Sequence, residues 1–77
     1  MEYDKNLDCT GVYCPMPIIQ AKREIEGMGQ GQVLRLEADD PGSKEDFPAW
    51  CEETGNPLLG LEDKDGVFVF YIKKGGV

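Results

Sequence analysis

Three cysteines, Cys9, Cys14 and Cys51, carry the reactive side chains of this 77-residue sequence, and no histidine stands beside them. Without histidine the chain cannot build a Ser-His-Asp triad, a Cys-His nucleophile pair or a His-ligated metal site of its own. Thiol chemistry that needs no proton shuttle remains open. An odd number of cysteines argues against a disulfide framework. Three thiolates and one carboxylate would be enough ligands for zinc, but no paired C-x-x-C occurs, so no metal and no other cofactor is expected.

Cys14 is singled out by placement. It opens Cys14-Pro15-Met16-Pro17, immediately before a helical pattern. A residue ahead of proline is pushed out of the α region, which suits an N-cap, and Pro15 then occupies the first helical position, where its missing N–H is harmless. A thiol there faces the positive end of the helix dipole, which favours thiolate. Pro15 and Pro17 each remove a backbone donor, leaving the Met16 N–H as the expected direct donor to the sulfur. The prolines also stiffen the turn. A fixed thiolate with no acid-base partner suits sulfur-to-sulfur exchange better than acyl transfer. The alternative is a small buried hydrophobe that happens to cap a helix.

The elements that position Cys14 follow from periodicity. Lys5 to Cys9 alternates as a first strand, with Leu7 and Cys9 on one face and Asn6 and Asp8 on the other. Thr10 to Tyr13 breaks it, with Gly11 as the turn residue. Residues 1–4 read as a loose start and 75–77 as a frayed end. Ile18, Ala21, Ile25 and Met28 give the first helix its apolar stripe, with Lys22, Arg23, Glu24 and Glu26 covering much of the rest. Glycines 27, 29 and 31 end it. Gln32 to Ala38 alternates again. Asp39-Asp40-Pro41-Gly42 reads as a turn, and Ser43 with Asp46 as a capping box. A second helix spans about 44–54 with Pro48 inside it, implying a bent first turn or a start near Phe47. Leu58 to Glu62 is a third strand, Asp63 to Gly66 a hairpin turn, and Val67 to Ile72 a fourth strand apolar on both faces. Such a strand is central, or its second face meets a partner. The order β-α-β-α-β-β with right-handed crossovers predicts an α/β (α+β) two-layer sandwich: two helices on one face of a four-stranded mixed sheet.

Composition narrows the classes. Eight basic and fifteen acidic residues give a net charge of −7, so nucleic acid is not expected as a direct ligand, whereas a basic protein partner would be attracted. Apolar residues at 40% and charged residues at 30% suit one globular domain over 1–77. No run is long and apolar enough to span a bilayer, and the opening Met-Glu-Tyr-Asp-Lys lacks a signal-peptide pattern, so a cytoplasmic protein without membrane association is expected.

The residues Leu7-Asp8, Gly11 and Cys14-Pro15-Met16-Pro17 resemble the L-D-x-x-G-x-x-C-P-x-P signature of TusA-like (SirA-like) sulfur-carrier proteins. The likeness continues through Lys22, Met28, Asp39-Asp40-Pro41, Asp46-Phe47-Pro48, Thr54-Gly55 and Ile72-Lys73-Lys74-Gly75. It implies that Cys14 accepts sulfane sulfur as a persulfide from a cysteine desulfurase or another sulfurtransferase. It implies relay to a protein acceptor, in tRNA thiolation, cofactor assembly or sulfur metabolism, by a monomer in transient complexes. Such a carrier is modified and restored each cycle, so calling it an enzyme is partly a matter of definition. The chain departs from the common family pattern at Cys9, often alanine or valine, at Thr10, where arginine is common, and at Asn56, where many members have histidine.

Other readings stay open. Cys9, five residues before Cys14, is a buried structural thiol or a redox partner in a dithiol module, which would need Cα atoms within about 7 Å. Cys51 reads as packing. Lys22 and Lys73-Lys74 could hold an anionic persulfide or a partner's acidic rim, or serve only solubility. An open sheet face would suit a non-catalytic regulatory interaction domain.

Overall fold

A computed structural model of the protein describes residues 2–13 and 16–75. Among these, the elements run β1 (Lys5–Cys9), α1 (Met16–Glu26), β2 (Val33–Ala38), α2 (Ser43–Thr54), β3 (Leu58–Lys64) and β4 (Val67–Lys73). The sheet order is β1-β2-β4-β3. β1 and β2 are parallel, and β4 is antiparallel to both of its neighbours. Hence β2 and β3 also run parallel, with β4 inserted between them. Both strand–helix–strand crossovers step the same way across the sheet, so right-handed winding puts α1 and α2 on one face. Ala21 and Ile25 of α1 share one core cluster with Phe47 and Cys51 of α2. The expected two-layer sandwich is the observed one. No helix among the described residues is long and apolar enough to cross a membrane.

The fourth strand is central, and both of its faces are buried. Phe68, Phe70 and Ile72 lie in the core cluster. Phe70 stacks on Phe47 of α2 with ring centroids 4.8 Å apart. On the face away from the helices, Val69 and Tyr71 are only 2% and 8% exposed. Charged neighbours shield them. Val69 lies between Glu37 and Glu62, and Tyr71 beside Arg35. The Arg35 guanidinium donates to Glu37 and to Asn6, each at 2.8 Å, and lies 5.7 Å from the Tyr3 ring centroid. A hydrogen bond to Tyr71 further favours its charged form. Long polar side chains laid flat over apolar residues hide them from water without a partner.

Several local expectations change. Residues 3 and 4 are not loose: the Asp4 N–H donates to the Val33 carbonyl, and Asp4 Oδ2 accepts from the Val33 N–H, both at 2.8 Å. The Ser43–Asp46 capping box is absent. Ser43 is the first helical residue and is buried, while Gly42 is the cap, at φ −65° and ψ −24°, with no side-chain cap bond. The chain is already helical at Gly42, so the hydroxyl of Ser43 arrives one residue late. The first turn closes with Lys44 N–H to Pro41 and Glu45 N–H to Gly42, a tight i→i−3 pattern ahead of Pro48. The alternative start near Phe47 is therefore not taken. The hairpin strands run on through Asp63 and Lys64, and the turn shrinks to Asp65 (φ 54°) and Gly66 (φ 86°), a pair of positive φ values that matches the sheet twist.

Because Phe70 is fully buried between two strands and a helix, Phe70→Ala is expected to cost about 3–5 kcal/mol and Ile72→Val about 1 kcal/mol. Urea unfolding monitored through Trp50 fluorescence checks both.

Candidate functional site

The turn between β1 and α1 is built from a few hydrogen bonds. β1 ends where Cys9 pairs with Ala38, the last residue of β2. Asp8 then folds back on its own chain: its Oδ1 accepts from the Thr10 N–H at 2.9 Å and from the Thr10 hydroxyl at 2.6 Å. Those two bonds, the hydroxyl first, hold the Asp8 carboxyl below its usual pKa. Gly11 takes φ +78°, the left-handed region expected of it. Its N–H donates to Asp39 Oδ1 at 2.9 Å. The Val12 N–H returns to the Cys9 carbonyl at 3.1 Å. Cys14 and Pro15, including the expected N-cap and first helical position, lie outside the described residues. The chain is placed on either side of them, at Tyr13 and at Met16.

The Met16 N–H donates to the Tyr13 carbonyl at 3.0 Å. The bond expected from the same N–H to the Cys14 sulfur falls on a residue outside the described ones. Pro17 is buried, as its place in the first turn of α1 requires, whereas Met16 is 44% exposed. Tyr13 and Ile19 are also exposed, so apolar side chains stand on both sides of the cysteine position.

The other two thiols are packed away. Cys9 has no exposed surface, and its Sγ–H donates to Gln20 Oε1 of α1 at 3.2 Å. Burial, with the Asp8 charge second, pushes its pKa up to about 11. Cys51 is buried on α2, and burial pushes its thiol up to about 11 as well. Both therefore stay protonated at neutral pH. For Cys9 the geometry opposes the dithiol-module reading, because resolving a bond at Cys14 needs an accessible thiolate.

The basic residues separate. Lys22 is exposed on α1, six residues beyond Met16. Lys73 and Lys74 sit at the opposite end of the sheet. Lys73 pairs with Val33 at the start of β2, and Lys74 Nζ donates to the Glu26 carbonyl at the C-terminus of α1, 3.3 Å away. Strand direction thus puts this pair at the end of the sheet away from the Cys9–Ala38 pair where β1 stops. It neutralises the negative end of α1 instead.

Asp39 holds the turn and Gln20 the neighbouring thiol; in the sequence Asp39 reads only as part of its own turn, and Gln20 is not singled out. An acid in the first position after a strand, parallel to a strand that runs into a glycine turn, is the signal that marks Asp39. A polar residue bordering the apolar stripe of α1 marks Gln20.

Fold and turn together define a class: a small βαβαββ two-layer domain with a cysteine at the entry to its first helix. The chain matches the family model described as sulfurtransferase TusA over residues 5–74. It is 45% identical over 73 residues to the sulfur carrier protein TusA of Allochromatium vinosum, covering 95% of this chain and 96% of that protein. It is 40% identical over 75 residues to the putative sulfur carrier protein YrkI of Bacillus subtilis, covering 97% of this chain and all 100% of that one. A solved SirA-like protein from Desulfitobacterium hafniense superposes with a TM-score of 0.81 at 29% identity, over 94% of this chain and 99% of the other. The chain belongs to the TusA sulfurtransferase family.

Two outcomes follow from this geometry. An alanine Cβ at Gly11 meets nothing within 4 Å, so Gly11→Ala carries only the left-handed backbone penalty of about 1–2 kcal/mol, measurable by denaturant unfolding. The second concerns pH. Folding holds Cys9 and Cys51 protonated up to about 11 against an ordinary 9.0. The unfolded chain therefore releases these protons first, and their contribution to stability falls from pH 9 and levels off above pH 11. Paired melts of wild type and Cys9→Ala/Cys51→Ala should run with equal slopes below pH 9, with the wild type losing more between pH 9 and pH 11.

Proposed function

We propose that this protein is a sulfur carrier in which Cys14 accepts sulfane sulfur as a persulfide and passes it to a protein acceptor. The observation that carries the reading is the division among the cysteines. Cys9 and Cys51 are buried and held protonated, which leaves Cys14, at the entry to α1, as the thiol suited to exchange. Pro15, Met16 and Pro17 restrict the chain around it, Gly11 turns the backbone towards it, and Lys22 supplies a positive charge on the same helix.

The chemistry is two heterolytic exchanges with no net oxidation. The Cys14 thiolate attacks the outer sulfur of a donor persulfide; the donor S–S bond breaks and its thiolate leaves with the electron pair. Cys14 then carries an S–SH group. An acceptor thiolate attacks that outer sulfur, the Cys14 S–S bond breaks, and the Cys14 thiolate is restored. Neither step needs a histidine, a metal or another cofactor. The donor class is a cysteine desulfurase or a related sulfurtransferase, met in transient complexes in the cytoplasm. The exposed Tyr13, Met16 and Ile19 give such partners an apolar contact around the cysteine.

Intact-mass spectrometry after incubation with a cysteine desulfurase and cysteine, without reductant, tests the reading. Wild type, Cys9→Ser and Cys51→Ser should each gain one sulfur, and Cys14→Ser none. A Cys14→Ser protein that still gains the sulfur would overturn it. If no variant loads, repeating with inorganic polysulfide separates a wrong donor from an unreactive protein.

A further inference from the structure

At the end of the sheet away from Cys9, the chain leaving β4 is tied on both sides. The Lys73 N–H donates to the Pro57 carbonyl at 2.9 Å. Lys74 makes two 2.8 Å bonds to the loop before β2: its N–H donates to the Gln32 carbonyl, and its carbonyl accepts from the Gly31 N–H. The Gly75 N–H has a side-chain partner, Asn56 Oδ1, at 3.2 Å. Asn56 is only 2% exposed, so this amide is satisfied inside the protein rather than by water. The last turn of α2 orients it. The Thr54 hydroxyl donates to the Trp50 carbonyl at 2.8 Å, and its oxygen accepts from Asn56 Nδ2 at 2.9 Å. The amide therefore presents its oxygen to Gly75. Contact is also close: a Cβ on Gly75 would lie 3.0 Å from Pro57 Cδ and 3.4 Å from the Gly55 carbonyl oxygen. At the same corner, a hollow of about 300 Å³ is lined by Pro48, Cys51, Glu52, Asn56, Pro57 and Leu58. The side chain that ties the strap and the buried Cys51 thus line one hollow.

We propose that Asn56 locks a strap, residues 73–75, onto the C-terminal corner of α2, and that releasing this lock opens the corner over Cys51 while the rest of the fold stays intact. The tie lies outside the core cluster that holds Leu34, Leu36 and Phe70. Segments held by a few bonds outside the core open locally, at lower free energy than global unfolding. Loss of one hydrogen bond raises the open population by up to about tenfold. Cys9 is fully buried on β1, away from the corner, and does not report this opening. The two buried thiols therefore distinguish a local event from a global one. The inference goes beyond the sulfur-carrier reading and does not depend on which thiol carries sulfur.

The experiment follows two quantities on the full chain: labelling of Cys51 and Cys9 by N-ethylmaleimide, located by digestion and peptide mass, and hydrogen exchange of the Lys73 and Gly75 amides, by NMR. In the wild type at low urea, Cys51 should label faster than Cys9 and with little dependence on urea, and the two amides should exchange with the same weak dependence. Asn56→Ala should speed Cys51 labelling by up to about tenfold and lower Lys73 protection by the same factor. Gly75→Ala, which crowds the strap against Pro57 and leaves Asn56 in place, should move both quantities in the same direction. Cys51 labelling that climbs with urea as steeply as global unfolding would overturn the proposal, because the corner would then open only with the whole fold. Faster labelling in Asn56→Ala with the Lys73 amide still protected would also overturn it, since the smaller side chain would merely have enlarged the hollow. So would unchanged labelling in Asn56→Ala. If that variant does not fold, Gly75→Ala and the wild-type urea series decide the matter.

Discussion

The structure depends on burying β4 on both faces. Phe68, Phe70 and Ile72 need a helical layer above them, and Val69 and Tyr71 need cover below. A strand with those demands cannot stand at an edge. Its central place separates β2 from β3 and sends α2 across it to reach β3. The β1 strand is left outside β2, paired on one side only. Its C-terminal end, where Cys9 meets Ala38, therefore lies beside the turn that leads to Cys14. Core packing thereby decides where the turn between β1 and α1 begins.

Charge is used in two ways around this frame. On the open face of the sheet, Arg35, Glu37, Asn6 and Tyr3 form a polar sheet of contacts over Val69 and Tyr71. That cover removes the need for a partner on this face and weakens the case for a regulatory surface there. At the end where β1 stops, Asp8 and Asp39 spend their carboxylate oxygens on backbone N–H groups of the turn. These acids shape the chain that carries the thiol.

Much of this was legible in the sequence. Alternation marked the first two strands, a run apolar on both faces marked the fourth, and the 18-21-25-28 stripe marked α1. Asp63 to Gly66 marked the hairpin, and the structure narrows the turn to Asp65 and Gly66, the pair with positive φ. The features that escaped are those set by distant contacts. The capping box at Ser43 fails because the chain has already turned helical at Gly42. The grip of Asp4 on Val33 and that of Asp39 on Gly11 each join residues about thirty positions apart, which local pattern does not reveal. Lys73 and Lys74 looked available to Cys14 until strand direction placed them at the far end of the sheet. Cys9 looked like a possible partner until its burial and its bond to Gln20 became visible.

The central claim is that one thiol of three carries the sulfur. Its most direct test is to load the wild-type protein from a cysteine desulfurase, trap persulfides by alkylation, digest, and map the extra sulfur by fragment mass spectrometry. The account expects it on the peptide containing Cys14, with Cys51 recovered as an unmodified thiol after unfolding and Cys9 likewise. Extra sulfur on Cys9 or Cys51 with Cys14 unmodified would contradict it.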